Sequence, residues 1–426
     1  MSNMNNEDGE KTLAIKAIQK KLLGKKLSYR EIYAIMDEIA KEKLTDILTT
    51  YFVASSFREG YSPNELYHFT KAMVETGNKL SFKGIVADKH SVGGIAGTRT
   101  TMIIVPIVAA AGFKIPKISS RAITTPAGTA DVMEAIASVE FTVPEIEKIV
   151  DKTGGCIAWN GRLGIAPADD IIIKVEEPLS FESFDKIIIS VMAKKVAAGT
   201  THLALDLPYG KTAKIRHFSD AEKVAKKFVD LAKRFKIKAV VDINEMLEPA
   251  GRGIGPILEA RDVLYVLEQH KDRPLRLEAK AVRLAGMLLD ICFKDKKNVS
   301  GKKNGEDEAR KILESGEALK KFRQIVAGQK GDPKITSANL KLAPYKKEVK
   351  STVSGKIKDI NNYNLNTVAK VLGSPTDKEA GLYLCKKLDH SVEKNEPMLI
   401  LYSTDKYRIK EAEVTLKNLP IFTVEK

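Results

Sequence analysis

The chain has 426 residues, enough for two or three domains, and 43% of them are hydrophobic, enough for a substantial core. Its net charge of +15 fits a nucleic acid, an anionic membrane or a small anionic substrate as partner. The basic residues are scattered, and most of their runs contain acidic residues as well. Because there is neither an arginine-rich arm nor an aromatic RNA-binding pattern, we expect a solvated, lysine-rich surface and no nucleic-acid partner.

The cysteines, the N-terminus and the apolar runs indicate in which compartment the protein is expected. Cys156, Cys292 and Cys385 lie far apart and without metal-type spacing, which predicts no disulfide framework and a reducing, cytoplasmic location. The N-terminus is polar and acidic, unlike a signal peptide. The longest apolar run, MIIVPIVAAAGF, contains Pro106 and is too short to span a bilayer. We therefore expect a buried helix there and no membrane partner.

Residues 10–78 are predicted to form a compact unit of three or four helices. The segments SYRE (28–31) and SPNE (62–65) both match a capping box, in which a serine and a glutamate accept from each other's backbone amides. Pro63 suits the first helical position, where an amide hydrogen has no partner. Gly77 is a candidate helix stop.

From about Leu80 the pattern changes to short β-like segments, each followed by a loop and a helix. The first such unit is GIVADKH, a glycine-rich loop and an apolar helix from about Thr101. The second is KIPKISS, the loop RAITTPAGTAD and the helix VMEAIASV. Units of this kind in series predict a parallel sheet covered by helices. Further strands are predicted at HLALDLPYG and IKAVVDI, and a helix at SFESFDKIIISVMAKKVAAG, ending at Gly199.

Beyond Lys346 the segments VKSTVSGKIKDIN and EPMLILYST look like β-strands of a small subdomain. The predicted fold class is therefore α/β. It combines a small all-helical domain, a large α/β domain with a mainly parallel central sheet, and a small C-terminal α+β subdomain.

Two loops between strands and helices have the composition of a phosphate cradle. Such loops lie at the carboxyl edge of a parallel sheet, where ligands bind and where helix N-termini offer unpaired amides. Glycines allow close approach and positive φ, while lysine and hydroxyl groups add charge and donors. The first loop offers Lys89, Ser91, Gly93, Gly94, Gly97, Thr100 and Thr101. The second offers Ser119, Ser120, Arg121, Thr124, Thr125, Gly128 and Thr129. Neither matches a P-loop, and the first is not G-x-G-x-x-G.

Several motifs in one order carry a family resemblance. DKHSVGG, PIVAAAGFKIPKISSRAITTPAGTAD, APADD and SVMAKK resemble the thymidine/pyrimidine nucleoside phosphorylase superfamily. SSRAIT…AGTAD, THLALDLPYGKTAK and GIGPILEARDVL look closer to its AMP phosphorylase branch. The resemblance runs from about Ile15 to the C-terminus. Members of that branch usually carry an additional N-terminal domain, whereas this sequence starts at the helical unit.

The resemblance implies discontinuous domains, at 10–78 and 166–199 for the helical domain, 79–165 and 200–345 for the α/β domain, and 346–426 for the C-terminal subdomain. It also implies phosphorolysis, in which inorganic phosphate attacks C1′ of a nucleoside or nucleotide and the base leaves with a proton. In the AMP branch the substrates are nucleoside 5′-monophosphates, AMP with CMP and UMP as further candidates, and the product is ribose 1,5-bisphosphate. Phosphate is a co-substrate, no metal or other cofactor is expected, and subunits are expected to pair as a homodimer.

Residue roles follow from the resemblance. The phosphate-binding positions of the pyrimidine enzymes match Lys89, Ser91, Thr101, Ser119 and Thr129. The proposed catalytic set is Glu182 as proton donor to the base, His90 facing the base and Lys194 holding it. The substrate-binding positions match Gly94, Ser120, Arg121, Ala122, Ile123, Thr124, Thr125, Ser190 and Lys214. Ser190 and Lys194 are four residues apart, so a helix places them on one face. Three of these roles have a plainer alternative. His90 is then a satisfied core histidine, Lys194 part of a solvated lysine face, and Glu182 an ordinary acidic residue in the first turn of a helix.

Two departures from the family pattern affect the substrate. Val175 stands where the pyrimidine enzymes have an arginine on the base, which disfavours ordinary thymidine phosphorolysis. Glu182 stands where the AMP branch has an aspartate, so its role requires the backbone to compensate for one more methylene.

Three other functions remain open. The first is a phosphorylase acting on unphosphorylated uridine or thymidine. The second is a phosphoribosyltransferase using magnesium and pyrophosphate chemistry. The third is a basic nucleic-acid-binding protein on a retired enzyme fold, which a salt-sensitive gel shift would reveal. The base preference and the assembly size stay undetermined.

Overall fold

The computed structural model of the chain describes residues 2–55, 60–122, 125–176, 183–296 and 304–425. The helices, in chain order, are α1 (Ser2–Leu22), α2 (Tyr29–Ala40), α3 (Asp46–Ser55), α4 (Pro63–Glu75), α5 (Thr101–Ala110), α6 (Thr129–Glu134), α7 (Val143–Thr153), α8 (Pro167–Glu176), α9 (Phe184–Ala197), α10 (Phe218–Arg234), α11 (Pro256–Leu267), α12 (Leu275–Asp295), α13 (Gly305–Glu314), α14 (Glu317–Gly328), α15 (Asn362–Leu372) and α16 (Lys406–Asn418). The strands are β1 (Ala87–Ser91), β2 (Ile115–Ser119), β3 (Gly155–Trp159), β4 (His202–Tyr209), β5 (Lys238–Glu245), β6 (Gly253–Ile254), β7 (Tyr345–Lys350), β8 (Gly355–Ile360), β9 (Gly381–Leu384), β10 (Ser391–Val392), β11 (Pro397–Ser403) and β12 (Phe422–Glu425).

The chain divides into two compact units. We call the first the helical unit; it consists of Met1–Gly84, Asn160–Thr201 and Lys223–Ala239. We call the second the α/β unit; it consists of Ile85–Trp159, His202–Glu222 and Val240–Lys426. The chain therefore passes between the units several times. The domain boundaries drawn from the sequence stay predictions.

Both predicted capping boxes start helices of the helical unit. At α2 the Ser28 amide donates to Glu31 Oε2 at 2.7 Å, and at α4 the Ser62 amide donates to Glu65 Oε2 at 3.0 Å. Pro63 occupies the first position of α4, as predicted. Glu65 also accepts from the buried Lys21 ammonium at 2.8 Å, so this cap ties α4 to α1. The cap therefore fixes both the start of α4 and its packing.

Gly77 follows the end of α4 for a steric reason. The C-cap of that helix is Thr76, and Gly77 does not adopt a left-handed conformation. A Cβ atom at Gly77 would lie 2.7 Å from the carbonyl oxygen of Gly164 and 2.7 Å from Cδ of Pro167. The glycine is thus needed because the segment leading into α8 approaches closely.

The α/β unit contains the predicted parallel strands. β1 pairs in parallel with β4, in a sheet of order β1-β4-β5. β2 pairs in parallel with β3, and a parallel bridge between Val86 and Lys114 continues from the first pair to the second. The helix predicted at VMEAIASV is shorter and earlier than expected, since α6 covers Thr129–Glu134. β3, in the segment GCIAW, was not predicted.

The apolar run predicted to be a buried helix is α5, in which all residues from Met102 to Val108 are buried. It packs in the main core of the α/β unit together with α12 and α14. Of the helices in the described parts of the chain, none is long and apolar enough to cross a membrane.

The C-terminal part forms two antiparallel sheets, of order β6-β9-β11-β7 and β10-β8-β12. The strands predicted at VKSTVSGKIKDIN and EPMLILYST are present as β7, β8 and β11. One strand of the larger sheet, β6, comes from much earlier in the chain. It ties the C-terminal sheet to the segment that precedes α11.

Candidate active site

A buried lysine lies at the centre of the first glycine-rich loop, which we define as residues 92–100 between β1 and α5. Lys89, on β1, is 1% exposed. Its ammonium group donates to the hydroxyl of Ser91, to that of Thr100 at 2.9 Å and to that of Thr101 at 3.5 Å. Three of the predicted phosphate-binding residues, Lys89, Ser91 and Thr101, are therefore in direct contact. Thr100, at the N-cap of α5, joins them.

A carboxylate closes this cluster from the neighbouring strand. Asp206 lies opposite Ser91 in the β1–β4 register and accepts from its hydroxyl at 2.7 Å. Asp206 also accepts from Asn244 at 2.8 Å and pairs with Lys280 at 2.9 Å and with Lys89 at 3.9 Å. One buried carboxylate thus compensates two lysines.

Burial and neighbouring charges set the protonation of this cluster. Burial lowers the pKa of Lys89 to about 8; the Asp206 charge opposes this effect, and the Lys280 charge adds to it. Burial alone would raise the pKa of Asp206, but the charges of Lys89 and Lys280 hold it below its usual value. An added anion beside Lys89 would stabilise its charged form, since opposite charges at close range favour ionisation.

The glycines of the first loop serve two purposes. Gly94 and Gly97 have φ of 59° and 63°, the left-handed conformation predicted for them. Gly93 does not have a positive φ; a Cβ there would lie 2.4 Å from Cγ of Pro208. At Gly97 a Cβ would also lie 2.6 Å from Cδ1 of Ile254. The loop is therefore packed tightly against the chain around it.

The second loop, residues 120–128 between β2 and α6, contains an arginine held by two carboxylates. The Arg121 guanidinium donates to Glu134 at 2.6 Å and to Glu140 at 3.0 Å. It also lies 4.4 Å from the ring centroid of Trp159, within cation–π range. Its Nε–H is buried, and no hydrogen-bond acceptor reaches it among the residues described. The two carboxylates are both bound by Nη2, so the buried Nε–H is a donor that they leave open.

Asp131 organises the backbone of the second loop. One of its carboxylate oxygens accepts from the amides of Ala122 at 2.6 Å and Gly128 at 2.8 Å. The other accepts from the Lys378 ammonium at 2.9 Å. The amides of Ala122 and Gly128, in the loop predicted to bind a phosphate, therefore already bind a carboxylate of the protein itself.

Arg99 connects the two loops within the α/β unit. It belongs to the first loop and pairs with the buried Glu259 at 2.7 Å. It donates to the hydroxyl of Thr129 at 3.2 Å and to the carbonyl oxygen of Ala127 at 2.8 Å. The predicted phosphate-binding Thr129 is thus linked to the first loop through one guanidinium.

In the helical unit, the predicted base-binding residues share a carboxylate. Ser190, on α9, donates to Asp169 Oδ2 at 2.8 Å, and Lys194 pairs with the same oxygen at 2.6 Å. Their spacing on one helix face is as predicted. Burial alone would lower the pKa of Lys194, but the charges of Asp169 and Asp170 raise it. Burial raises the pKa of the Asp170 carboxyl, which accepts from Asn160 at 2.7 Å.

The remaining predicted residues lie at several places in the two units. His90 lies on β1 opposite Leu205, and Ser119 ends β2 and donates to the Ser120 carbonyl at 3.2 Å. Thr125 donates to the Ala127 carbonyl at 3.0 Å. Val175 is buried in α8, and Lys214 follows β4 in the α/β unit. The positions of Ile123, Thr124 and Glu182 lie outside the described residues.

Several charged residues of these clusters were not predicted from the sequence, among them Arg99, Asp131, Asp169 and Asp206. Asp206 had a weak signal, as a lone carboxylate in the apolar strand HLALDLPY. Asp131 had a stronger one, because it stands three residues after Gly128, the spacing of a capping box. Asp169 belongs to the quoted APADD motif but was given no role.

Family comparisons cover most of the chain. Residues 83–319 match the description "Glycosyl transferase family, a/b domain", and residues 15–77 match "Glycosyl transferase family, helical bundle domain". Residues 356–420 match "Pyrimidine nucleoside phosphorylase C-terminal domain". The first match alone covers more than half of the chain, and the order of the three agrees with the predicted order of domains.

Curated relatives match at high coverage. An AMP phosphorylase from Methanococcus vannielii is 41% identical over 410 residues, which are 96% of this chain and 80% of that protein. One from Methanocaldococcus jannaschii is 40% identical over 403 residues, covering 95% of this chain and 79% of the relative. One from Thermofilum pendens is 41% identical over 408 residues, covering 95% and 77%.

A solved structure supports the fold. The anthranilate phosphoribosyltransferase of Thermus thermophilus superimposes with a TM-score of 0.61 over 74% of this chain and 99% of that one. The sequence identity is 18%, so the likeness concerns the fold alone. The predicted fold class, a helical domain with an α/β domain and a small C-terminal domain, is confirmed.

Proposed function

The chain belongs to the glycosyl transferase family that includes the AMP phosphorylases, and from this membership we propose that it catalyses the phosphorolysis of AMP. An oxygen of inorganic phosphate forms a bond to C1′ of the ribose while the C1′–N bond to adenine breaks. The electron pair of that bond leaves with the base, which takes up a proton. The products are adenine and ribose 1,5-bisphosphate, so the enzyme is a phosphorylase of the pentosyltransferase type.

The cluster around Lys89 carries the proposal. A phosphate nucleophile needs a positive charge and several donors held in place before it arrives. Lys89 and the hydroxyls of Ser91, Thr100 and Thr101 already converge within hydrogen-bonding distance at the start of α5. When phosphate binds, these donors turn to its oxygens, and Asp206 keeps the lysine and Ser91 in place.

The second loop is assigned to the substrate. Arg121 has an open Nε–H, and guanidinium matches phosphate geometry, which supports a contact with the 5′-phosphate of AMP. Ser119 and Thr129 complete the site of the attacking phosphate, and Gly94, Ser120, Ala122, Ile123, Thr124, Thr125 and Lys214 complete that of the nucleotide. Ser190 and Lys194 hold the base, His90 faces it, and Glu182 protonates it as it leaves.

CMP and UMP are further candidate substrates, and we propose that no metal or other cofactor takes part. A phosphoribosyltransferase would instead need magnesium to hold its pyrophosphate. Turnover that is unchanged by EDTA supports the phosphorylase, whereas loss of turnover that magnesium restores favours the phosphoribosyltransferase.

We further propose a cytoplasmic homodimer. Cys156, Cys292 and Cys385 are free thiols, and a chain without disulfides suits a reducing compartment. On α3 the side chains of Ile47 and Tyr51 are 69% and 55% exposed, and such apolar exposure fits a subunit contact. Light scattering measures the mass, and a monomeric Ile47→Lys variant beside a dimeric parent would place the contact on α3.

Product analysis tests the function directly. AMP, CMP, UMP, adenosine, uridine and thymidine are incubated separately with saturating phosphate. We expect adenine and ribose 1,5-bisphosphate from AMP and no base from adenosine. Base release from uridine or thymidine alone would refute the nucleotide assignment and show a pyrimidine nucleoside phosphorylase, despite Val175. Phosphate-free reactions are the control for hydrolysis.

A further inference from the structure

A second concentration of positive charge lines a cavity of the α/β unit. The cavity has a volume of 680 Å³ and lies between the connection from α11 to α12 and strands β9 and β11. We call it the basic pocket. Two carboxylates line it, Glu248 and Asp272, against six cations, namely Arg252, Arg261, Lys271, Arg273, Arg276 and Lys387. The lining therefore has an excess of positive charge.

Ion pairing removes only part of this excess. Arg273 pairs with Glu278 at 2.6 Å. Arg276 and Lys387 share Glu248, at 3.0 and 3.5 Å. Arg252, Arg261 and Lys271 form no ion pair with a carboxylate in the described parts of the chain. Three cations of one cavity are thus left without an ion-pair partner there, and the buried Asp262 carboxyl, which interacts with Arg261 and Lys387, offsets only part of the excess.

Arg261 is held in a position to bind a ligand. Its guanidinium lies 4.8 Å from the ring centroid of Tyr383 and 5.9 Å from that of Tyr265, so two rings orient it. Its Nε–H is buried and reaches no hydrogen-bond acceptor within the described residues. A buried donor of this kind costs free energy unless a ligand or water satisfies it.

Lys387 is a second buried cation of the basic pocket. Its ammonium donates to the carbonyl oxygens of Pro249 and Gly251, the latter at 2.9 Å. Burial lowers its pKa to about 8, Glu248 opposes this effect, and the charge of Arg252 adds to it. A bound anion would relieve this repulsion.

We propose that the basic pocket binds a small phosphate ester, at a site separate from the two glycine-rich loops. Guanidinium groups match phosphate oxygens in pairs. Arg261 supplies such a group with a buried Nε–H, and Arg252, whose Nη1 donates to the carbonyls of Leu384 at 3.1 Å and Cys385 at 2.9 Å, supplies its remaining donors. The volume is within the range of small-molecule sites and exceeds what a bare phosphate ion fills. The rings of Tyr265, Tyr383 and Tyr402 form walls for the organic part. None of the lining residues belongs to either loop.

Calorimetric titration of the full chain tests the proposal. The probes are inorganic phosphate, ribose 5-phosphate and ATP, each titrated separately. The pocket variant is Arg261→Gln/Lys271→Gln, which removes a half-buried and an exposed cation, both without an ion pair in the described parts of the chain. The control variant, Lys311→Gln/Lys320→Gln, removes the same charge from exposed positions on α13 and α14. AMP phosphorolysis at saturating substrate is the folding check for both.

We expect ribose 5-phosphate or ATP to bind more than one site per chain. One of these sites weakens about tenfold in the pocket variant and stays unchanged in the control variant. Preference for ATP over ribose 5-phosphate identifies a nucleotide as the ligand, and the reverse identifies a sugar phosphate. A single site per chain, equal weakening in both variants or no weakening in either would overturn the proposal.

Discussion

The first and second loops both contain an arginine and threonine hydroxyls but have opposite internal partners. In the first, three hydroxyls surround a buried cation, Lys89. In the second, two backbone amides surround a carboxylate, Asp131. A loop built around a cation can exchange its partners for a phosphate, whereas a loop built around a carboxylate has its anion place already filled. Shared residue types in two loops therefore do not imply the same binding capacity.

The two loops suit different parts of the reaction. The first loop suits the attacking phosphate, because its donors lie around a positive charge. In the second, Asp131 occupies the amides of Ala122 and Gly128, and the buried Arg121 Nε–H has no acceptor among the described residues. Arg99 joins the loops by pairing with Glu259 and donating to Thr129. Binding at one loop thus has a direct structural route to the other.

Removing the cation of the first loop has the largest expected effect. Lys89→Met keeps the volume of the side chain and deletes its charge and its donors. We expect kcat/KM for phosphate to fall about 100- to 1000-fold, the usual cost of losing a preorganised donor to an anion. Steady-state kinetics with varied phosphate measures it.

The matched control is Lys114→Gln, which removes a lysine of the same unit that pairs with the exposed Asp151. It should keep parental kinetics. A Lys89→Met variant with parental kcat/KM and a parental melting temperature would show that Lys89 is a core lysine, and the comparison between the loops would lose its basis.

Asp131 is expected to contribute mainly to stability. Asp131→Asn replaces an oxygen that accepts from two amides, or the one that pairs with Lys378, by an NH₂ group. The free energy of unfolding should fall by about 2 kcal/mol, because buried donors lose a charged acceptor. Urea denaturation measures it, and Asp151→Asn, on an exposed carboxylate, should change it by less than about 0.5 kcal/mol. Equal losses in the two variants would mean that Asp131 does not organise the loop.

The pH dependence of phosphate use distinguishes the first loop from the basic pocket. Lys89 has a pKa lowered to about 8, so the free enzyme loses this positive charge above that pH. We expect kcat/KM for phosphate to fall about tenfold per pH unit above pH 8. Lys387 also has a pKa of about 8, so Lys387→Met is the control. Loss of the alkaline limb in that variant would assign it to the basic pocket.

The lowered pKa of Lys89 also determines how the free energy of unfolding changes with pH. The folded pKa of Lys89 is below the unfolded value, so between about pH 8 and 10.5 the unfolded chain binds more protons. The cost of burying the charged lysine is present below pH 8 and is relieved as the pH rises through this window. Lys89 itself therefore makes unfolding harder at higher pH, although it makes phosphate binding weaker.

Local sequence signals predicted the elements of the fold well. Ser28, Ser62 and Pro63 start helices as expected, because caps depend on residues three positions apart. β3 was missed because its five residues, GCIAW, begin with a glycine and have no alternating pattern. The start of α6 depends on Gly128 as N-cap, which is a weak signal beside serine or threonine.

The candidate site was harder to predict, since its charges come from distant segments. Lys89, Ser91 and Thr101 lie within thirteen residues of one another and were found together. Asp206 is 115 residues beyond Ser91 and meets it through the register of two parallel strands. Lys280 reaches the same carboxylate from a helix further along the chain. No local pattern contains that information.

Arg121 gives the smallest and most selective expected effect. Two carboxylates already hold Nη2 of its guanidinium, so a substrate phosphate gains only the donors that they leave and part of the charge. We expect Arg121→Gln to raise KM for AMP about fivefold, a loss of about 1 kcal/mol, and to leave KM for phosphate unchanged. Ser91→Ala should do the reverse, since its hydroxyl belongs to the first loop. Initial rates with each substrate varied in turn measure both.

The variants Arg121→Gln and Ser91→Ala together decide whether the two loops bind different substrates. If Arg121→Gln raises KM for phosphate and not for AMP, the second loop holds the attacking phosphate. If both variants raise both constants together, the link through Arg99 couples the loops too strongly for separate roles. Arg99→Lys then tests this link, because lysine keeps the charge near Glu259 but cannot also donate to Thr129 and Ala127 in the same geometry. In that variant the effects of Arg121→Gln and Ser91→Ala should become independent.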